Sequence, residues 1–194
     1  HSFNSRNVES TVGSQTQVTT AMMILDAYRA LEKLRYDPRI NIDNVAMIGW
    51  SLGGGAVLFS AWKPIMDAIS PSLRFKAHLA FYPPCLVDLD LVSFSSSPIH
   101  ILIGELDNWV SSEACADLVY ELNEEGVDIN IDIYEGSHHG FDREGSLYIE
   151  KNGYKTGECQ FNMRSDGALL MNFFNISMTT PLMQKIALAM CAKR

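Results

Sequence analysis

The sequence predicts an α/β protein with a doubly wound, mostly parallel sheet that has helices on both faces. Short apolar runs typical of buried strands alternate with longer segments in which apolar residues recur at the three- and four-residue steps of a helix. Strands that alternate with helices along a chain favour a parallel sheet. No internal repeat or low-complexity tract interrupts this alternation.

The first part of the chain predicts a helix, a strand and a second helix. A first helix is predicted over residues 14–36, because Ser14 and Gln17 match a capping box and apolar residues line one face. The run NVAMIG (44–49) predicts a strand that is covered on both faces. The stretch LGGGAVLFSAW (52–62) predicts a helix whose glycines suit close packing against a strand.

The alternation continues to residue 134. The predicted elements are the strands FKAHLAFY (75–82), PIHILIG (98–104) and DINIDIY (128–134), and a helix from Ser111 or Ser112 to about Glu125 that Gly126 ends. His78 and His100 lie within two of these strand patterns. We therefore expect both to be core histidines with hydrogen-bond partners.

The pattern changes after residue 143. Asn152-Gly153 and Asp166-Gly167 each separate short runs, which indicates two hairpins, and Thr180-Pro181 starts a closing helix that runs to about Ala192. A chain of 194 residues can bury one substantial core. We therefore expect a single domain, residues 1–194, whose core is 1–143 and whose C-terminal part is 144–194.

Composition excludes several classes of partner. The net charge of −8 argues against nucleic acid, and no apolar run approaches the roughly 18 residues of a membrane span. Because the chain opens with His1 and its true start is uncertain, the sequence leaves a cytoplasmic and a periplasmic or secreted location open. Four cysteines without metal-site spacing leave free thiols and disulfides open, and a Cys85–Cys115 pair across neighbouring strand ends is predicted.

The segment GWSLG (49–53) fits G-x-S-x-G, the turn between a strand and a helix that exposes a reactive serine hydroxyl. The pattern alone is weak, because small residues also gather in ordinary strand–helix turns. A nucleophilic serine needs a histidine to accept its proton and an acid to orient that histidine. Asp107 follows one predicted strand, and His138 and His139 follow another, so the chain order is Ser51, Asp107, His139.

These segments resemble the dienelactone hydrolase family of α/β-hydrolases over nearly all of residues 1–143. The matching stretches are GWSLGG, GELDNW and YEGSHHGFD, the last similar to the family's Y-P-G-x-x-H-x-F. The resemblance implies the α/β-hydrolase fold and a triad of Ser51 as nucleophile, Asp107 as acid and His139 as base. It implies hydrolysis of small-molecule carboxylic esters or lactones through an acyl-enzyme, with no metal and no organic cofactor.

Two features depart from the family pattern. Founding members use cysteine where this chain has Ser51, and serine depends more heavily on its base, which favours a general esterase or lactonase. The opening HSFNSRNVE resembles the family's segment after the fourth strand, so the sequence looks N-terminally truncated. Of the two N–H groups of the oxyanion hole, only that of Leu52 would then be present.

On this interpretation the strand 44–49 has no neighbour on one side. An apolar strand edge that is open to water favours association. We therefore expect either a homodimer through the face near residues 14–49 or a longer natural polypeptide.

Several alternatives stay open at this point. Glu105, Asp88 and Asp90 are competing acids, and His138 is a competing base. Trp50, Trp109 and Arg6 are candidate substrate-pocket residues, although packing explains the tryptophans equally well and a surface location suits Arg6 and Arg143. A truncated, non-catalytic binding or assembly module and an acyltransferase with the same triad are the competing functions.

Overall fold

The computed structural model describes residues 1–12, 17–151, 153, 161–166, 169–171 and 176–177. Its helices are α1 (Thr20–Leu34), α2 (Leu52–Ser60), α3 (Lys63–Ile69) and α4 (Ser112–Glu124). Its strands are β1 (Met47–Trp50), β2 (His78–Phe81), β3 (Val87–Leu89), β4 (Ile99–Gly104), β5 (Ile129–Tyr134), β6 (Phe161–Met163), β7 (Leu169–Met171) and β8 (Ile176–Ser177).

The main sheet has four strands in the order β1-β2-β4-β5, and every neighbouring pair is parallel. Strands and helices alternate along this part of the chain, since α2 and α3 connect β1 to β2 and α4 connects β4 to β5. The predicted α/β fold with a mostly parallel sheet is therefore confirmed.

The two faces of the main sheet differ in exposure. Ile101 of β4 and Ile129 of β5 lie in the core together with α2 and α4. On the other face Ile48 and Trp50 of β1 are 52% and 46% exposed. The prediction of a first strand covered on both faces is thus wrong for the described residues, in which β1 is an edge strand with β2 as its neighbour.

The first helix begins later than predicted. Thr19 has an extended backbone (φ −94°, ψ 162°), and its hydroxyl accepts a hydrogen bond from the N–H of Met22 at 3.3 Å, which caps α1 at Thr20. Residues 17–19 are not helical, and Ser14 lies outside the described residues. A single β-region residue with a capping hydroxyl therefore overrides the helical periodicity that precedes it.

The other predicted helices need smaller corrections. The helix predicted over residues 52–62 ends at Ser60. A separate helix, α3, follows it and has Pro64 in its first turn. The hydroxyl of Ser111 accepts from the N–H of Ala114 at 3.1 Å and caps α4, and Gly126 follows its end with φ +79°. No helix in the described ranges is long and apolar enough to cross a membrane.

The two strand histidines do not behave as predicted. His78 is only 3% exposed, yet neither of its ring nitrogens has a hydrogen-bond partner among the described residues. His100 is not a core residue, because its side chain is 43% exposed and its Nε2 lies 2.9 Å from the carboxylate of Asp132 on β5. The predicted core location is therefore right for His78 and wrong for His100, and the predicted hydrogen-bond partner is wrong for His78.

A second, small sheet follows the order β3-β6-β7-β8. Strands β6 and β7 are antiparallel, which confirms the predicted hairpin around Asp166-Gly167. The hairpin predicted at Asn152-Gly153 lacks its first strand, because residues 146–150 form no strand. Asn152 itself lies outside the described residues. The predicted closing helix, Cys159 and Cys191 also lie outside them.

A disulfide joins Cys85, in the segment after β2, to Cys115, in the first turn of α4. Their Cα atoms lie 4.9 Å apart, and both residues are buried. The predicted Cys85–Cys115 pair is therefore confirmed. It ties the carboxyl end of β2 to the helix that follows β4.

Candidate active site

Ser51 occupies a strained turn between β1 and α2. Its backbone has φ 53° and ψ −117°, in a region that residues with a Cβ rarely adopt. A Cβ added to Gly49 would lie 2.4 Å from the carbonyl oxygen of Gly53, so only glycine fits there. The turn therefore places the serine hydroxyl at the carboxyl end of β1.

The second constrained glycine of the turn is Gly54, which the G-x-S-x-G pattern does not include. A Cβ on Gly54 would lie 2.5 Å from the carbonyl oxygen of Phe81 on β2. A Cβ on Gly53 would meet only the methyl group of Met23, at an ordinary 3.6 Å. The run of three glycines in the sequence was the available signal, but it did not identify the constrained one.

Ser51, His139 and Asp107 form one continuous hydrogen-bonded line. The Nε2 atom of His139 lies 3.0 Å from Ser51 Oγ, and its Nδ1 atom lies 2.7 Å from Asp107 Oδ2. Because an ionised carboxylate only accepts, this arrangement requires a proton on Nδ1 and leaves Nε2 free to accept from the hydroxyl. The three side chains follow the carboxyl ends of β1, β4 and β5 of the main sheet, with β2 between the first two of these strands.

Backbone groups orient the carboxylate of Asp107. Its second oxygen, Oδ1, accepts hydrogen bonds from the N–H of Trp109 at 2.9 Å and of Val110 at 3.1 Å. The Asp107 side chain is fully buried, whereas the His139 side chain is 16% exposed. Two backbone N–H groups thus orient the Asp107 carboxylate, and the imidazole of His139 lies at the cavity.

The competing residues have other partners. Glu105 accepts a hydrogen bond from the N–H of Gly136 at 2.8 Å, and Asp90 accepts from the N–H of Ser165 at 2.8 Å. The Nδ1 atom of His138 lies 3.1 Å from the carbonyl oxygen of Leu106, whereas the imidazole that lies 3.0 Å from Ser51 Oγ is that of His139. Asp88 lies in β3, in the small second sheet.

Two aromatic rings enclose the imidazole of His139. The ring of Trp109 stacks on it with centroids 5.0 Å apart and an interplanar angle of 17°, and the ring of Tyr82 lies 4.5 Å away. The backbone of Gly153 packs against Trp109 so closely that a Cβ there would lie 2.5 Å from the indole. Packing therefore holds His139 from two sides.

The described residues around Ser51 line an open cavity of about 1000 Å³. Trp50, Ser51, Leu52, Trp109 and His139 line it, together with Arg143 and residues of α1. Leu52 is the first residue of α2, where a helical N–H has no acceptor within the helix. The side chains of Trp50 and Trp109 thus lie in the wall of the cavity.

Arg6 does not line this cavity, which corrects its assignment as a candidate pocket residue. Its guanidinium forms a two-pronged ion pair with the carboxylate of Asp26 on α1, at 2.7 and 3.0 Å. The hydrogen bonds from Arg6 lower the pKa of the Asp26 carboxyl. A paired guanidinium of this kind anchors the first residues of the chain to α1.

Tyr82 and Asp142 are site residues that the sequence analysis missed. Tyr82 directly follows β2, has φ +36° and is 4% exposed. Its hydroxyl donates to Asp142 Oδ1 at 2.8 Å, and burial together with this carboxylate raises its pKa. The available signals were the position of Tyr82 at the end of a predicted strand and that of Asp142 within YEGSHHGFD.

Metal-ligating side chains do not cluster in the part of the chain that the structure describes. There, no group of three or more His, Cys, Asp or Glu side chains is placed to hold a metal ion.

A parallel sheet, a strained serine turn and the chain order Ser–Asp–His are together typical of the α/β-hydrolases. The sequence model of the dienelactone hydrolase family matches residues 2–160. The chain therefore belongs to this family.

Two further comparisons agree with this placement. A probable 2-oxo-3-(5-oxofuran-2-ylidene)propanoate lactonase of Bradyrhizobium sp. is 24% identical over 123 residues, which are 61% of this chain and 48% of the relative. The chain thus spans about half the length of this curated relative.

Among solved structures, esterase 2 of Thermogutta terrifontis has the same fold. Its apo form superposes with a TM-score of 0.54 at 20% identity, covering 69% of this chain and 60% of the esterase. The form phosphonylated by cyclosarin gives a TM-score of 0.56 at 20% identity, covering 70% of this chain and 60% of the esterase.

Proposed function

We propose that this protein is a serine hydrolase of carboxylic esters or lactones that works through an acyl-enzyme. Ser51 is the nucleophile, His139 the general base and Asp107 the acid that orients the imidazole. The observation that carries the proposal is the line of hydrogen bonds from Ser51 Oγ to His139 Nε2, 3.0 Å, and from His139 Nδ1 to Asp107 Oδ2, 2.7 Å. Both distances lie within the range that proton transfer requires.

The reaction has two halves. Ser51 Oγ attacks the substrate carbonyl while His139 Nε2 takes the hydroxyl proton, and the protonated imidazole then passes that proton to the departing alkoxide oxygen. Water next attacks the acyl-enzyme, with His139 again as base, and releases the acid and Ser51. For a lactone, the departing alkoxide stays attached to the acyl group and the product is a hydroxy acid.

Two features of the site support stabilisation of the charges that develop. The buried carboxylate of Asp107, held by two backbone N–H groups, faces the imidazolium that forms on His139. The N–H of Leu52, at the positive end of the α2 dipole, is the donor available for the carbonyl oxygen as it becomes negative.

The family and the cavity indicate the substrate class. A lactonase is among the relatives, an esterase has the same fold, and both lactones and esters present the carbonyl that this site attacks. A cavity of about 1000 Å³ with Trp50 and Trp109 in its wall suits a small molecule with an apolar part.

The proposal is tested by the variant Ser51→Ala in the purified full-length protein. We expect hydrolysis of p-nitrophenyl butyrate to fall by about 10⁴-fold or more and labelling by a fluorophosphonate probe to disappear, because both need the activated hydroxyl. Ser72→Ala is the matched control, since Ser72 is an exposed serine in the segment that precedes β2.

Two results would contradict the proposal. The first is ester turnover that survives in Ser51→Ala at the wild-type rate. The second is a folded wild-type protein that takes up no probe and hydrolyses no ester or lactone, which would favour the non-catalytic binding module.

A further inference from the structure

We propose that Asp142 is a positioning residue for this reaction, and the inference therefore rests on the proposed function. Its carboxylate joins the residue beside the nucleophile, the end of β2 and the loop that carries His139. No feature of the G-x-S-x-G pattern or of the Ser–Asp–His order assigns a role to this side chain.

The carboxylate of Asp142 accepts two hydrogen bonds from different segments. Trp50 Nε1 donates to Oδ2 at 2.6 Å, and the hydroxyl of Tyr82 donates to Oδ1 at 2.8 Å. Trp50 is 92 residues and Tyr82 is 60 residues distant from Asp142 in sequence. Hydrogen bonds to an ionised carboxylate are shorter and stronger than those between neutral groups.

Both donors lie next to the reacting side chains. Trp50 directly precedes Ser51, and the ring of Tyr82 lies 4.5 Å from the imidazole of His139. Asp142 itself is three residues beyond His139, on the same loop. The two hydrogen bonds therefore connect the loop that carries His139 to the end of β1 and to the ring of Tyr82, which packs on the imidazole.

Two glycines give the loop that carries His139 a backbone freedom that such an attachment restricts. Gly136 and Gly140, on either side of His139, have φ +65° and φ +75°, and glycine loses the most backbone entropy when a turn is ordered. The side chain of His139 forms hydrogen bonds with Ser51 and Asp107. The carboxylate of Asp142 adds two more hydrogen bonds between this loop and the rest of the protein.

Asp142 acts through its partners and not on the substrate. It is not among the residues that line the cavity, although its neighbours Phe141 and Arg143 are. Each of its carboxylate oxygens already accepts a hydrogen bond. Its loss would leave the hydroxyl of Tyr82, a residue that is 4% exposed, without its acceptor.

We expect Asp142→Ala to lower kcat for ester hydrolysis about 10- to 100-fold while KM stays within about threefold, because a displacement of the base of the order of 1 Å costs up to about 10²-fold in rate. Asp142→Asn keeps a single acceptor oxygen and should fall between Asp142→Ala and the wild type. Asp132→Ala is the matched control, since Asp132 is also an exposed carboxylate bonded to a ring nitrogen, that of His100.

A double-mutant cycle separates positioning from general stability. Tyr82→Phe and Trp50→Phe each remove one hydrogen bond and keep an aromatic ring, so each should lower kcat less than Asp142→Ala does. Adding Tyr82→Phe to Asp142→Ala should lower kcat no further, because the interaction is already lost. If Asp142→Ala does not fold, the two phenylalanine variants and Asp142→Asn supply the same readout.

The outcomes for Asp142 and for the proposed function are distinguishable. The inference is overturned if Asp142→Ala keeps the wild-type kcat, if it raises KM alone, or if its losses and those of Tyr82→Phe simply add. Those results leave the proposed function intact as long as Ser51→Ala is inactive. Turnover that persists in Ser51→Ala would instead overturn the hydrolase itself.

Discussion

His78 is a buried histidine whose two ring nitrogens have no hydrogen-bond partner within the described part of the chain. It lies on β2, is 3% exposed and has the ring of Phe75 at its edge, 6.1 Å between centroids. Burial disfavours the charged imidazolium and lowers the pKa of this imidazole from 6.5 to about 4. The folded protein therefore keeps His78 neutral at pH values at which the unfolded chain is protonated.

Acid should consequently destabilise the fold through His78. Above pH 6.5 the group is neutral in both states and has no effect; as pH falls from 6.5 to about 4, only the unfolded state gains the proton. The free energy of unfolding should drop by about 3 kcal/mol over that window. Urea denaturation of wild type and His78→Leu at pH 7 and pH 4.5 measures this contribution.

The leucine variant should lose less stability than the wild type between the two pH values. His100→Leu is the control, because it leaves His78 in place. This variant should keep the decrease in the free energy of unfolding that His78 causes at acid pH. Equal losses in wild type and His78→Leu would show that His78 is protonated in the folded protein.

Among the secondary-structure elements, α2 packs on β2 through a close approach at Gly54. The backbone of Gly54 lies so near β2 that a methyl group would meet the carbonyl oxygen of Phe81 at 2.5 Å. Gly53, one residue earlier in the same helix, has space for a methyl group at 3.6 Å from Met23. The two glycines therefore form a matched pair for a stability test.

We expect Gly54→Ala to lower the free energy of unfolding by about 1–3 kcal/mol, because α2 must move away from β2. Gly53→Ala should be neutral or raise it by up to about 1 kcal/mol, since alanine is the better helix former. Thermal and urea denaturation of the two variants measure the difference. Equal destabilisation by both would show that the helix, and not its contact with β2, sets the cost.

In the molecule as a whole, β1 forms one edge of the main sheet and carries exposed apolar side chains. Among the residues that the structure describes, β1 pairs with β2 alone, and its side chains Ile48 and Trp50 are 52% and 46% exposed. An apolar strand with an unpaired edge is a template for association with another chain. This is the edge at which the sequence analysis expected a homodimer.

We expect a polypeptide of these 194 residues to associate through β1 and to become more monomeric in the variant Ile48→Lys. Tyr120→Lys is the control, because Tyr120 is 67% exposed on α4, away from this edge. Sedimentation velocity measures both variants. A monomeric wild type, or an equal effect of the two lysines, would contradict association through β1.

Sequence patterns were sufficient to predict the fold class, and with the family resemblance they pointed to the three side chains that the structure brings together. A helical or strand period is a local property, and each of Ser51, Asp107 and His139 follows its own apolar run, so the pattern predicts that all three lie at the carboxyl ends of the strands. The family resemblance, and not chain order, favoured Asp107 and His139 over their competing neighbours. The serine turn could be recognised because its glycine requirement is also local.

The partners of the polar side chains became visible only once the chain was folded. Arg6 was expected at the pocket but pairs with Asp26, and His100 was expected in the core but faces Asp132. The hydrogen bonds of Asp142 cross 60 and 92 residues of chain. Such contacts depend on how distant segments are packed, and no periodicity or spacing within a segment carries that information.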